Sequence, residues 1–200
     1  MTLHAHNVTF GYAGKFPLYE EFSLEVAPGE RVALVAPSGA GKTTLCRILA
    51  GYELPQAGEV LVDGDPLPRR GIAPVQLIGQ HPEASLDPRM RMGDSLDEAG
   101  HATPALLNAL GIRRGWLRRF PHELSGGELQ RFCIARALLA NPRYLIADEI
   151  STMLDAVTQA QLWRFLLDEA ETRNLGVVFV SHSPALTARI ATRRVRLSES

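Results

Sequence analysis

Val32-Ala33-Leu34-Val35-Ala36-Pro37-Ser38-Gly39-Ala40-Gly41-Lys42-Thr43-Thr44-Leu45 decides how this chain is read. Val32 to Val35 is apolar without interruption, as expected of a strand buried on both faces. Leu45, Ile48 and Leu49 then recur on one helical face, and Gly51 supplies a stop. A strand, a glycine turn and a helix in that order aim backbone N–H groups and the positive helix end at an anion. Lys42 adds a point charge suited to the β- and γ-phosphates of a nucleotide, and Thr43 a hydroxyl suited to Mg2+. Ser38, Gly39, Ala40, Gly41 and Thr44 complete the candidate cradle. The strict pattern Gly-x-x-x-x-Gly-Lys-[Ser/Thr] is broken at its first place, where Ala36 stands. Alanine fits there only if φ stays below zero and the methyl clears its neighbours. An ordinary glycine turn before a helix is the plain alternative. Lys15 and Lys42 are the only lysines among 21 Lys and Arg, and a compact ammonium suits such a loop better than a guanidinium.

Outward from this segment, Val8 to Phe10, Phe22 to Val26, Glu59 to Val62 and Val75 to Ile78 read as strands, the last ending near Gln80. Residues 82–123 turn helical and irregular, as a small insert would. Leu129 to Ala140 and Gln159 to Arg173 read as helices, and Tyr144 to Ala147 and Val177 to Val180 as buried strands. Apolar strands alternating with helices predict a parallel sheet covered on both faces.

The 200 residues are 46% hydrophobic and 22% charged with a net charge of −1, which fits one domain and shows no basic field for nucleic acid. Cys46 and Cys133 lie in apolar helical patterns without CxxC spacing, so reduced thiols in a cytosolic protein are expected and no metal cluster. No apolar run reaches the roughly 18 residues of a membrane span, and the amino terminus lacks a signal-peptide core. Any work at a membrane would then need another chain to hold this one there.

Tyr144-Leu145-Ile146-Ala147-Asp148-Glu149 is an apolar strand ending in two carboxylates, at the sheet edge where nucleotide sites form. Asp148 can hold Mg2+ through water, and Glu149 can polarise an attacking water because successive residues leaving a strand point in different directions. Solvated acids at a strand end are the alternative. In Leu124-Ser125-Gly126-Gly127-Glu128, Ser125 and Glu128 fit a capping box, while Gly126 and Gly127 bare a helix terminus toward an anion. Both uses are kept.

In this order the segments resemble the nucleotide-binding subunit of an ATP-binding-cassette (ABC) transporter, over nearly all of the chain. Residues 36–43 look like its Walker A loop, with Ala36 for glycine. Residues 124–128 look like its LSGGQ signature, with Glu128 for glutamine. Asp148 and Glu149 resemble Walker B and the catalytic glutamate. Gln80 resembles the Q-loop glutamine, a ligand of the metal with Thr43 and Asp148. Ser151-Thr152-Met153-Leu154-Asp155 is similar to the D-loop, with Asp155 near nucleotide, His182 to the switch histidine, and Tyr12 to the aromatic that stacks on adenine. Taken singly, Gln80, His182 and Tyr12 would be ordinary polar or half-buried residues. The resemblance implies a P-loop NTPase fold: a RecA-like, mostly parallel core sheet, an antiparallel β subdomain and a helical subdomain at about 82–123. It implies ATP and Mg2+, hydrolysis, and a head-to-tail dimer in which Lys42 of one subunit and Ser125, Gly126 and Gly127 of the other enclose one ATP. The implied partners are a second cassette, permease subunits and a solute-binding protein, with the chain on the inner face of the cell membrane.

His81 to Met90 and Ala147 to Gln161 further resemble ATPases of the oligopeptide, dipeptide and nickel importer group. The sequence ends at Ser200 without the carboxyl-terminal extension common there, so no regulatory role is read into that end. Arg113, Arg114, Arg118 and Arg119 are a solvated face or a contact for lipid headgroups or a partner. Two other classes remain open: a cassette ATPase of DNA repair, chromosomes or translation, and a regulator that binds nucleotide without hydrolysis. Only 82 positions separate Lys42 from Leu124, too few for a long coiled coil. No Asn precedes a Lys, so the guanine-reading Asn-Lys-x-Asp element of small GTPases is absent.

Overall fold

The computed structural model describes residues 2–13 and 17–197; Lys15 lies outside them. Two sheets organise the chain. The first is antiparallel, in the order β2-β1-β4-β5, formed by β1 (Leu3–Phe10), β2 (Tyr19–Val26), β4 (Ala57–Val62) and the short β5 (Asp65–Pro66). The second is parallel throughout, in the order β6-β7-β8-β3-β9. Its strands are β3 (Arg31–Val35), β6 (Val75–Ile78), β7 (Tyr144–Asp148), β8 (Gly176–Val180) and β9 (Arg193–Arg196).

Alternation along β3, β7 and β8 explains why they read as apolar runs. Val32, Leu34, Ile146, Val178 and Val180 face one core, with β1, β2 and α1 (Lys42–Leu49). Ala33, Leu145, Ala147, Val177 and Phe179 face the other, with α4 (Gly126–Leu139) and α5 (Ala156–Arg173). Successive side chains of a strand point to opposite faces, so a sheet covered on both sides needs an apolar residue at every position.

Residues 82–123 contain α2 (Met92–Asp97), α3 (Pro104–Ala109) and three single 3-10 turns at Pro82–Ser85, Arg114–Arg118 and Pro121–Glu123. Met92, Leu96, Leu107, Leu110 and Trp116 from this insert pack into the same core as Phe132 and Ile134 of α4. Two elements near the carboxyl end were not expected, α6 (Pro184–Ile190) and β9. β1 also begins at Leu3, five residues before the expected start.

What matters for function is the register. Ile78 pairs with Ala147, Asp148 with Val180 and Leu34 also with Val180. Loops leaving β3, β6, β7 and β8 therefore start side by side along the carboxyl edge of one sheet, where α/β folds place their ligands.

Candidate active site

The loop after β3 turns on Gly39 at φ 85° and Gly41 at φ 83°, in the left-handed region that glycine occupies without penalty. A Cβ on Gly41 would stand 2.6 Å from Oη of Tyr19, the hydroxyl that donates to the carbonyl of Ala40 at 3.4 Å. Nothing in the chain pattern marked Tyr19, which buttresses the loop from β2. Gly41 begins α1 without a side-chain cap, and no acid lies in the first turn, so its amides stay available to an anion. Ala36 is outside the left-handed region, the condition its methyl required.

Lys42 is buried and donates through Nζ to the carbonyls of Ala36 at 2.9 Å and Pro37 at 2.7 Å. Its ammonium thus lies along its own loop. Tyr12 is exposed, stands edge-on to Phe10 with centroids 5.2 Å apart, and shares a 3.2 Å hydrogen bond with Oγ1 of Thr44. An open aromatic face beside the phosphate loop is the geometry a stacked base needs.

Asp148 ends β7 at 2% exposure, and its Oδ1 has no hydrogen-bond partner. Burial raises its pKa above the ordinary carboxylate value, as does the charge of Glu149, while the Thr43 hydroxyl, Lys42 and His182 oppose the rise. A buried carboxylate oxygen left unpaired beside a threonine hydroxyl is a donor set that suits a hard cation such as Mg2+. Among the described residues no group of three or more His, Cys, Asp and Glu is placed to hold a metal by itself. Mg2+ needs none, since it keeps waters and phosphate oxygens as most of its ligands.

Glu149 takes φ 52°, strained for a glutamate, and its N–H donates to the carbonyl of Val180 at 3.2 Å. Its Oε2 accepts from Nε2 of Gln80 at 3.1 Å, and its Oε1 lies 2.6 Å from Nε2 of His182. Ser183 fixes the turn after His182 by accepting from the N–H of Leu186 at 3.2 Å. Lys42, Thr43, Glu149 and His182 line one cavity of about 280 Å³, together with Ser38, Gly39, Gly41 and Thr44. A larger cavity of about 380 Å³ opens on the far side of Gln80, with Thr43 and Asp148 on its wall.

Ser125 to Glu128 and Asp155 do not reach the walls of the smaller cavity. Ser125 starts α4 through a reciprocal cap, its N–H and Oγ donating to Oε2 of Glu128 at 2.8 and 3.0 Å. The Ser125 N–H, helped by its hydroxyl, holds Glu128 below the usual carboxylate range. Gly126 and Gly127 have a second reason to be glycine. Cβ atoms there would stand 2.9 Å from Sδ of Met153 and 3.0 Å from Cδ2 of Leu154, so residues 153–154 lie against the start of α4. Asp155 caps α5, accepting from the N–H groups of Val157 and Thr158 at 3.0 Å each.

A family model described as "ABC transporter" matches residues 19–152, two thirds of the chain. This chain belongs to the ABC transporter family. Curated ABC relatives include the glutathione import ATP-binding protein GsiA of Pectobacterium atrosepticum, 38% identical over 193 residues, and that of Escherichia coli K12, 37% identical over 196. Each alignment covers 87% of this chain and 31% of the relative, so the chain spans about a third of those proteins' length. Among solved structures, an ATP-binding subunit of an ABC transporter superposes with a TM-score of 0.86 at 25% identity, covering 98% of this chain and 86% of that one. A dimeric ATP-binding cassette in a post-hydrolysis state, bound to ADP and Pi, superposes at 0.83 and 25% identity, covering 99% and 94%. The ABC ATPase neighbours share this P-loop NTPase arrangement of a parallel and an antiparallel sheet.

Proposed function

We propose that this chain binds and hydrolyses ATP as one cassette of an ABC importer, energising uptake of a peptide, nickel or a related small solute. The single observation that supports it most is the cavity shared by Lys42, Thr43, Glu149 and His182. The importer class rests on the similarity to glutathione import proteins and on residues 81–90 and 147–161.

In this reading Lys42 exchanges the carbonyls of Ala36 and Pro37 for β- and γ-phosphate oxygens, and the amides after Gly39 and Gly41 wrap the same group. Tyr12 carries the adenine. Thr43, Asp148 and Gln80 would hold Mg2+, which neutralises charge on the phosphates. Glu149 accepts a proton from water as the water oxygen bonds the γ-phosphorus and the bond to the β–γ bridging oxygen breaks, giving ADP and inorganic phosphate. His182 holds Glu149 and reports the γ-phosphate, and Gln80 joins Glu149 to the cavity on its other side.

Ser125, Gly126, Gly127, Glu128 and Asp155 face a second cassette, whose nucleotide they close over. Closure with ATP and reopening after hydrolysis is the output. The larger cavity, with Arg47, Tyr52 and Arg136 around it, is where a permease loop docks. The cassette works from the inner membrane face through the permease; among the described residues no helix is long and apolar enough to cross a membrane. A solute-binding protein completes the system. The test is phosphate release by the purified chain with its co-purified permease. Release that depends on solute supports the importer. Complete absence of release, with nucleotide still bound, overturns hydrolysis in favour of a regulator.

A further inference from the structure

Six residues separate Glu149 from the first residue of α5, and one side chain ties that loop to the helix. Ser151 is buried, and its Oγ accepts from Nε2 of Gln159 at 2.8 Å and from Nε1 of Trp163 at 3.2 Å. A hydroxyl offers two acceptor lone pairs, and both are used, by side chains four residues apart on one helix face. Trp163 is itself held, buried against Phe179 of β8 with ring centroids 5.4 Å apart. The next residue along β8, Val180, accepts the N–H of Glu149. On the Glu149 side, the N–H and Oγ1 of Thr152 donate to the Glu149 carbonyl at 3.3 and 3.1 Å.

Space is left beneath this loop. A cavity of about 270 Å³ lies between it and residues 181–183, lined by Ser151 and Gln159 and reaching the Glu149–His182 contact. A close-packed interior would fix the loop by contact, but beside an opening its depth is set by directional bonds instead. The strained φ of Glu149 persists only while its surroundings hold it.

We propose that Gln159 and Trp163 are positioning residues for Glu149, acting through Ser151 to hold its carboxylate between Gln80 and His182. This rests on the reading of Glu149 as the proton acceptor. It predicts an effect on turnover and none on nucleotide capture, because Lys42 and the phosphate loop share no bond with the Ser151 anchor.

The experiment compares steady-state phosphate release by the full chain with its permease for the wild type, Gln159→Met, Trp163→Phe, the double variant, Ser151→Ala and Ser151→Thr. Methionine keeps the length of Gln159 without its donor, and phenylalanine keeps the packing on Phe179 without the indole N–H. The double variant is expected to lose about tenfold in kcat with KM for ATP within twofold, since small misplacements of a reacting group are costly. Ser151→Ala matches the double variant, adding it to the double costs nothing more, and Ser151→Thr keeps most of the activity. A double variant with wild-type kcat overturns the proposal, as does a fall in kcat and a rise in KM that track lost thermal stability. Should Trp163→Phe fail to fold, Gln159→Met carries the test alone, with about a threefold fall expected and wild-type kcat overturning it. Glu149→Gln run beside them separates the two readings: turnover lost there but intact in the double overturns only the positioning role, whereas a wild type without turnover overturns both.

Discussion

Oε1 of Glu149 lies 2.6 Å from Nε2 of His182, so the ends of the neighbouring parallel strands β7 and β8 meet at one carboxylate. Glu149→Gln keeps the shape and the contact with Gln80 but removes the charge that accepts a proton. We expect ATP affinity within about threefold of wild type and phosphate release reduced by at least about 10²-fold, the usual scale of a general base. An ATP-stabilised dimer should accumulate in size-exclusion runs. Wild-type turnover in this variant would refute the assignment of Glu149.

Lys42 has two carbonyl partners within its own loop, and both must be released for it to reach a phosphate. Lys42→Ala removes a charge-assisted contact of roughly 1.5–3 kcal/mol, so ATP affinity by calorimetry should weaken about ten- to hundredfold. Unchanged affinity would show that the phosphates lie elsewhere.

Gly39 and Gly41 share a backbone conformation but differ in their surroundings. Nothing lies within 4 Å of a Cβ on Gly39, whereas one on Gly41 meets Tyr19. Gly39→Ala should cost about 1–2 kcal/mol of stability from the left-handed backbone alone, and Gly41→Ala more than that. Tyr19→Phe should recover part of the loss for Gly41→Ala and none for Gly39→Ala. Equal melting temperatures for the two alanine variants would contradict this packing.

Ala36 sits where the strict phosphate-loop pattern has glycine, in a backbone conformation open to any residue. Ala36→Gly should leave phosphate release within about threefold and lower stability by about 0.4–1 kcal/mol, through the freer unfolded chain. A large gain in turnover would mean that the methyl obstructs nucleotide.

Both cysteines are free and buried. Burial pushes the Cys133 thiol up to about 12 and the Cys46 thiol well above its ordinary value. At pH 8 the reactive thiolate of Cys133 should be about 10⁻⁴ of the total. A thiol reagent is expected to label neither residue in the folded chain and both after denaturation. As pH rises toward 12 the thiolate of Cys133 grows, so labelling below pH 9 in the native state would place that thiol near the surface.

The central strands were legible because both faces are buried, which leaves no polar interruption in Val32 to Leu34, Tyr144 to Ala147 or Val177 to Val180. β9 escaped for the opposite reason. It reads Arg-Arg-Val-Arg at the sheet edge, its side chains are largely exposed, and its place is fixed by backbone pairing with β3. β1 was read short because its alternation breaks at Asn7, which takes φ 47°: the pairing with β2 shifts between Ala5 and Val8, so Leu3 and Ala5 fall out of phase with Val8 and Phe10. Lys42, Thr43, Asp148 and Glu149 could be found locally, since the first two open a helix after a glycine turn and the last two close an apolar strand. Gln80 and His182 were legible only from their order among the other motifs. Tyr19 and the bonds from Gln159 and Trp163 to Ser151 carry no local signature, because they depend on which distant elements the fold brings together.

The four loops that build the cavity walls leave adjacent strands in fixed register, and this constrains which insertions and deletions the chain can tolerate. Removing one residue within Tyr144–Asp148 would swap every later side chain between the two cores and turn Glu149 away from His182. Length changes at the opposite rim, where β7 and β8 begin, leave that register untouched. Variation in loop length, and any graft made by an engineer, belongs on that rim.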